Sequence, residues 1–454
     1  MEHDIVIIGA GLTGLTTAFH LHRGGSDVIV LEKEARIGGQ IRTYSEDGFT
    51  FESGPNTGVV SFPEVAELFT ALGDETLMET AREESKRRLI WKGGQFHALP
   101  SGLFSAVATP LFTLHDKFRI LGEPWRAQGT DPDESVGELA IRRLGRSFYD
   151  YAVDPFVSGV YAGDPMQLTT RYALPKLYRL EADYGSFVRG SIAKARQPKS
   201  DRDRLVSKKV FSARGGLERL IEAMGQSLNV ITNCGQTSIT PMDDGRWRVS
   251  YADGEHEILC RHVVTTVGAY ALPQLLPFVA AEQMEAISRL HYAPIVQVSV
   301  GVRHTGSVDY AAFGGLVPSR EQQSVLGILF PSACFGQRAP EGGALYSYFI
   351  GGARHPEQLQ WSDDELKRLV CDTMHTMLKY PKGTEPDLVR IFRHQRAIPQ
   401  YGKDSGRRFE AIAQLERQYP GLTIGGNLRD GIGMGHRISQ GATIAAQLLQ
   451  RPGV

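Results

Sequence analysis

DIVIIGAGLTGLTTAFHLHRGGSDVIVLEKE, residues Asp4 to Glu34, is the stretch whose reading decides the fold. Its two apolar runs, Ile5 to Ile8 and Val28 to Leu31, show no polar alternation, as parallel strands buried on both faces require. Between them Leu12, Leu15, Ala18 and Phe19 recur at helical spacing, which makes the stretch a strand–helix–strand unit. The turn into the helix carries Gly9, Gly11 and Gly14, with Ala10, Leu12 and Thr13 between and around them. The first glycine permits the tight turn, the second lets a pyrophosphate approach the backbone, and the third lets helix and strand pack closely. Backbone N–H groups at the helix start then face the phosphates. Glu32, followed by Lys33, closes the second strand where a carboxylate accepts hydrogen bonds from a ribose. Strand, glycines, helix, strand and acid arrive in order, so the unit binds a dinucleotide.

The whole chain sets the outer limits. Its 454 residues exceed what one core usually supports, so two or three domains are expected. With 41% hydrophobic and 22% charged residues and a net charge of -1, it offers no general attraction to nucleic acid or anionic lipid. Cys234, Cys260, Cys334 and Cys371 are scattered without a C-x-x-C pair, which argues against zinc, predicts no metal site and suits a reduced cytoplasm. No H-E-x-x-H, G-x-S-x-G or Walker sequence is present. The opening apolar run is too short to span a bilayer and has no signal-peptide flanks. LPSGLFSAVATPLFTL, Leu99 to Leu114, carries only small, apolar and hydroxyl side chains and suits a pocket lining or a membrane surface.

Further along, VFSARGGLERLIEAM places Gly215 and Gly216 before an amphipathic helix, and strand patterns follow around a hairpin at Gly245. IVQVSVGVRH alternates as a half-buried strand does, with VLGILFPS and LYSYFIGG as partners in a second sheet. Ser362 and Glu365 form a capping box ahead of a helix. The last segment, GLTIGGNLRDGIGMGHRISQGATIAAQLLQ, reads as strand, glycine-rich loop and helix. DESVGELAIRRLGRSFYDYAV is helical, and the mixed-charge run AKARQPKSDRDRLVSKK reads as a solvated loop.

EKEARIGGQIRTY resembles the Gly-Gly-x-x-x-Thr extension of the amine oxidase and protoporphyrinogen oxidase superfamily of FAD proteins, with Gly38, Gly39, Gln40, Arg42 and Thr43 in place. FESGPNTG resembles that family's loop near the isoalloxazine, which implicates Gly54, Pro55, Asn56 and Thr57. The strand from Gln236 to Ile239 corresponds to one that passes the adenine, and the last segment to the flavin-facing motif, with Asn427, Ile432, Gly433 and Met434. GVYAGDPMQLTTR, Gly159 to Arg171, is by composition a turn. It is similar to a segment of protoporphyrinogen oxidases, as are GGQFHALPSGL, FSARGGLERL and RAIPQY.

The resemblance implies an α/β and α+β protein with a discontinuous Rossmann-like FAD domain (residues 1-57, 207-270 and 415-454). It also implies a mixed-sheet substrate domain (58-95, 190-206 and 271-414) and a helical, membrane-facing region (96-189). It implies removal of six hydrogens from a porphyrinogen in three two-electron steps, with FAD as cofactor, molecular oxygen as acceptor and hydrogen peroxide as product. No general base is assigned. Peripheral attachment at the cytoplasmic face of the inner membrane, a ferrochelatase partner and a monomer or homodimer all accord with it. Phe104, Tyr161, Gly163 and Arg171 are substrate-pocket candidates, and Gly163 is expected to shape the pocket wall. Family members place an arginine where this chain has Phe104, leaving Arg42, Lys92, Arg171 and the basic run to meet a substrate carboxylate. Coproporphyrinogen oxidation, amine oxidation or desaturation, and a non-catalytic FAD-containing porphyrin-binding scaffold are the alternatives. Gln297 where amine oxidases carry a lysine, and no aromatic residue across Asn427 to Arg429, weigh against amines.

Overall fold

The computed structural model describes residues 1–74, 77–100, 105 and 108–451. The first apolar run lies in the strand Glu2–Ile8, with Val28–Leu31 parallel beside it, Ile5 opposite Val28 and Ile8 opposite Leu31. Successive side chains point to opposite faces. Ile5, Ile7, Val28 and Val30 enter one core, while Val6, Ile8, Ile29 and Leu31 enter another. The strands lack polar positions because both faces are covered.

Seven strands make this sheet. Asn229–Ile231, Val28–Leu31, Glu2–Ile8, His256–Thr265, Trp247–Tyr251 and Ser238–Pro241 follow in spatial order, and Leu422–Ile424 pairs in parallel with the end of His256–Thr265. The helices Leu12–Arg23, Glu218–Gly225 and Met434–Leu449 cover one face. On the other face Leu272, Leu275, Met284, Ile287, Ile412 and Leu415 pack against the strands. All but Leu415 lie within 271-414, which the sequence division groups with the second sheet. They sit here because the first three helices cover only one of the sheet's two apolar faces.

The second sheet is mixed. Its strands, in order, are Leu388–Pro399, Tyr292–Val302, Ala344–Gly351, Val325–Leu329, Gly314–Leu316, Arg88–Lys92 and Gln95–Ala98. Tyr292–Val302 is buried along its whole length, not half-buried as its alternation suggests. Val296, Val298 and Val300 pack with Leu366, Val370 and Met374 of the helix Asp363–Thr376. The other face carries Gln297, whose Nε2 donates to the Glu52 carbonyl at 2.7 Å. The polar positions of this strand face another part of the protein, so alternation does not mean solvent.

Helices dominate from residue 114 to residue 204, among them Leu114–Leu121, Val136–Leu144, Asp154–Tyr161, Pro175–Tyr184 and Phe187–Arg196. Among the described residues no helix is long and apolar enough to cross a membrane. The mixed-charge run lies at the surface, where Arg202 pairs with Glu64 and Glu67 at 2.7 and 2.6 Å.

Candidate functional site

The glycines of the first turn divide their work. A Cβ on Gly14 would fall 2.0 Å from the Gly9 carbonyl oxygen, so only hydrogen lets helix and strand meet there. At Gly11 a Cβ would meet nothing within 4 Å, which leaves the backbone facing open space. Gly11 also caps the helix without a side-chain hydrogen bond, and the first turn holds no acid. An open, uncapped helix start is what a diphosphate needs.

Glu32 is buried, and its carboxylate accepts the Ala10 N–H at 2.7 Å and the Glu34 N–H at 3.0 Å. Two bonds leave lone pairs for ribose hydroxyls. Lys33 is exposed beside Glu34 at 3.3 Å. The Gly38 N–H donates to the Ala10 carbonyl at 2.7 Å, and a Cβ on Gly39 would lie 3.3 Å from the Gly11 Cα. Gln236 is on an exposed turn with φ +51°, and the adjacent strand starts at Ser238, so the sequence expectation of a strand at Gln236 is two residues early. The same turn reaches the ribose side, since the Cys234 N–H donates to the Glu32 carbonyl at 2.8 Å.

The second half-site meets the first through Thr266. Its hydroxyl donates to the Gly9 carbonyl at 3.0 Å, and a Cβ on Gly426 would lie 2.9 Å from its carbonyl oxygen. Asn427 follows, its carbonyl accepting the Tyr401 hydroxyl at 2.7 Å and its Oδ1 the Tyr292 hydroxyl at 3.4 Å. Gly433 caps the final helix without a side-chain partner. Met434 is a correction: its side chain is buried with Val60, Val65 and Ile438, so only its backbone belongs to the helix end. Ile432 packs against Val136, Tyr161 and Tyr401. His436, against Phe62, is held neutral because burial and then the charges of Arg437 and Lys176 lower its pKa to about 4.

The loop from Glu52 to Thr57 lies beside Gln40. A Cβ on Gly54 would fall 2.0 Å from the Gln40 carbonyl oxygen, and Gln40 Nε2 donates to the Arg396 carbonyl at 3.1 Å. Asn56 is held by the Ser347 hydroxyl at 2.9 Å, and Pro55 and Thr57 are half-buried on either side. Glu52 is buried, and its carboxyl rises to about 7 through burial, opposed by the Leu217 N–H and the Thr43 hydroxyl. Arg42 lies over the Tyr44 ring, 4.6 Å from its centroid.

The turn after Asp154–Tyr161 sits on the second sheet. Ala162 is left-handed with φ +50°, and its carbonyl accepts the Ala353 N–H at 2.7 Å. Arg354 holds both ends, with Asp154 at 2.5 Å and Asp164 at 2.8 Å. Gly159 and Gly163 are closely packed: a Cβ would fall 2.4 Å from Leu316 Cδ2 and from Gln400 Oε1 respectively, side-chain ends that would have to move. Tyr161 packs in the cluster with Val136 and Leu168; its hydroxyl donates to the Ala173 carbonyl at 2.7 Å, and burial pushes its pKa up to about 12. Arg171 pairs with Asp133 at 2.6 Å and lies over Tyr172, while Lys92 donates to the Pro110 and Leu111 carbonyls. Phe104 lies outside the described residues.

An apolar cavity of about 390 Å³ opens between these helices and the second sheet. Val136, Leu139, Val153, Phe156, Leu174 and Leu316 line it, and among the described residues no acid or histidine does. Val136, Val153 and Leu174 also pack in the cluster that holds Ile432, so the cavity adjoins the C-terminal loop. Tyr401, which holds Asn427, and Arg354, which holds the turn at Ala162, are contacts the sequence did not single out. For Tyr401 the RAIPQY resemblance was the available signal.

A nucleotide-binding α/β layer joined in this way to a mixed sheet with its own apolar cavity defines the class of two-domain flavoproteins. Residues 12–449 match the family described as flavin containing amine oxidoreductase, and the chain belongs to that family. Its cofactor is FAD, and the open glycine turn, the buried Glu32 and the two uncapped helix starts fit it. The mitochondrial protoporphyrinogen oxidase of Nicotiana tabacum is 30% identical over 97% of this chain and 94% of its own length. The protoporphyrinogen oxidase of Homo sapiens is 28% identical over 99% of both chains. Among solved structures, a candidate protoporphyrinogen oxidase from Exiguobacterium sp. superposes with a TM-score of 0.81 at 23% identity, covering 98% of both chains. Cyclohexylamine oxidase of Brevibacterium oxydans gives a TM-score of 0.71 at 16% identity over 99% of both.

Proposed function

We propose that this protein is a protoporphyrinogen oxidase, converting protoporphyrinogen IX to protoporphyrin IX for heme biosynthesis. The observation that carries this is the end-to-end similarity to the tobacco enzyme, 30% identical over 97% of the chain. When bound, FAD supplies a two-electron acceptor. Six hydrogens leave the macrocycle in three such rounds, and three molecules of oxygen become three of hydrogen peroxide. The chain's own residues bind and orient. Glycine turns and helix ends hold the cofactor, Gln297 fixes the loop at Glu52, and Arg354 fixes the turn at Ala162. Among the described residues no acid or histidine lines the cavity, and the pyrrole nitrogens can release their own protons as conjugation extends. Anaerobic mixing of the FAD-loaded protein with protoporphyrinogen IX should bleach the flavin absorbance; an unchanged spectrum would make the protein a porphyrin-binding scaffold.

The helical region supports peripheral contact with a lipid bilayer. Leu114, Phe118 and Leu121 share one face of their helix, and they are 68%, 69% and 68% exposed, with Trp125 beyond them at 78%. An apolar stripe ending in tryptophan suits the depth where acyl chains meet headgroups. Free cysteines at all four positions, three of them buried, accord with a reducing compartment. Phe118→Ser combined with Trp125→Ser should lower co-sedimentation with phosphatidylethanolamine–phosphatidylglycerol vesicles by roughly tenfold, at about 1–2 kcal/mol for two apolar anchors, while turnover in detergent is kept.

A further inference from the structure

Arg437 stands near the start of the final helix, Met434–Leu449, and is 8% exposed, yet among the described residues no carboxylate pairs with it. Its guanidinium donates to Gln440 Oε1 and to the Arg429 carbonyl, both at 2.8 Å, and its Nε has no partner among the described residues. The nearby anions are engaged elsewhere: Glu416 pairs with Arg429 at 2.8 Å, and the Asp430 carboxylate accepts Gln440 Nε2 at 2.6 Å. Arg408, another buried arginine at this loop, donates to the Leu428 carbonyl but has Asp404 at 3.6 Å.

A buried cation that no anion neutralises is costly. The two acceptors Arg437 holds are uncharged, and a neutral amide donor would satisfy them without that cost. Gln440 Oε1 also accepts the Gly426 N–H at 2.8 Å, which ties the charge to the C-terminal loop. The uncapped helix start at Gly433 is one helical turn away, and the charge is felt there, since after burial it is the next cause that keeps His436 neutral. Burial opposes the charge, but a guanidinium keeps its proton.

When a hydride passes to FAD, two electrons and one proton enter the ring, and one negative charge is added along the pyrimidine edge at N1 and O2. Resting on the reading that this helix opens toward that edge, we propose that Arg437 is the counter-charge for reduced FAD and raises the reduction potential of the bound flavin. Helix start and guanidinium then act on the same developing charge. The role is electrostatic and does not depend on which substrate supplies the hydride.

The test uses the FAD-loaded parent, Arg437→Gln, Arg437→Met and Arg437→Lys. It reads the two-electron reduction potential by dye equilibration, and Kd for sulfite, whose sulfur lone pair forms a bond to N5 of the oxidised flavin and leaves negative charge on the same ring edge. Arg437→Gln keeps a donor for the Arg429 carbonyl but removes the charge. It should lower the equilibrium constant for reduction roughly ten- to hundredfold, about 30–60 mV for two electrons, and raise the sulfite Kd by a similar factor. Arg437→Met, the second neutral variant, should fall as far, while Arg437→Lys should stay within about threefold of the parent on both readings. An unchanged potential and sulfite Kd in a neutral variant that retains its flavin would overturn the counter-charge. An equal fall in Arg437→Lys, or loss of flavin from both neutral variants, would overturn it too, because Arg437 would then only shape the loop. A parent that takes up sulfite but leaves protoporphyrinogen IX unoxidised would sink the function proposed above and leave this inference standing.

Discussion

Glutamate in place of Gly11 is expected to give a folded, colourless protein with no oxidase activity. Gly11 has φ -75° and ψ 177°, extended backbone open to any residue, and a Cβ there meets nothing within 4 Å. The fold therefore tolerates the side chain, and a carboxylate at a helix start is itself mildly favourable. The cofactor does not tolerate it, because the open space is where the diphosphate must lie. Like charges at about 4–5 Å repel by roughly 3–4 kcal/mol at an effective dielectric of 20, about a hundred- to thousandfold in affinity. Flavin absorbance per protein after dialysis, read beside the melting temperature of the apoprotein, checks both halves. Retention of stoichiometric flavin would show that the phosphates lie elsewhere. Gly14→Ala should behave differently: its Cβ, 2.0 Å from the Gly9 carbonyl oxygen, forces helix and strand apart and should cost about 1–3 kcal/mol of stability even without cofactor.

The contrast between these glycines also shows what a sequence exposes. Their spacing is local, fixed within six residues, and each has a distinct steric reason to lack a side chain. The same holds for Ser362 and Glu365, whose reciprocal bonds close within one turn. Arg354 gave no such signal, because its partners Asp154 and Asp164 lie 200 and 190 positions away and only the finished fold brings them together. Tyr161 and Met434 stood in segments that do shape the site, yet their side chains turn into cores, since segment similarity fixes backbone path before it fixes side-chain direction. The strand around Gln297 misled for a related reason: polar alternation reports two unlike faces, not which face is wet.

Removing the Glu123 carboxylate should be the most damaging single change in the helical region. Glu123 is 1% exposed and Arg143 0%, and the two form a direct ion pair. Glu123 also accepts the Ser186 hydroxyl at 2.6 Å and the Phe187 and Val188 N–H groups at 2.9 and 3.2 Å, so it caps the helix Phe187–Arg196 from another segment. Glu123→Ala removes the nearer of the two carboxylates beside the buried Arg143 guanidinium, leaving Glu181 at 3.4 Å, and strips the Phe187 and Val188 N–H groups of their acceptor, which should cost about 2–4 kcal/mol in urea unfolding. Replacing both members by apolar residues, Glu123→Leu with Arg143→Met, should cost much less, because no charge is then stranded. Burial pushes the Glu123 carboxyl up, but the hydrogen bonds from Ser186, Phe187 and Val188 and the Arg143 charge outweigh it and hold it below its ordinary value. A depressed folded pKa means the contribution is complete above the unfolded value of about 4.5 and is lost as pH falls through the folded one. The stability gap between parent and Glu123→Ala should therefore be constant from about pH 6 to 8 and narrow below about pH 4.5. Val136, Leu139 and Phe187 of these helices line the cavity, so the same variant should raise KM for the porphyrinogen while flavin content stays intact. A pH-independent gap, or loss of flavin with unchanged KM, would show that the pair does not hold the cavity wall.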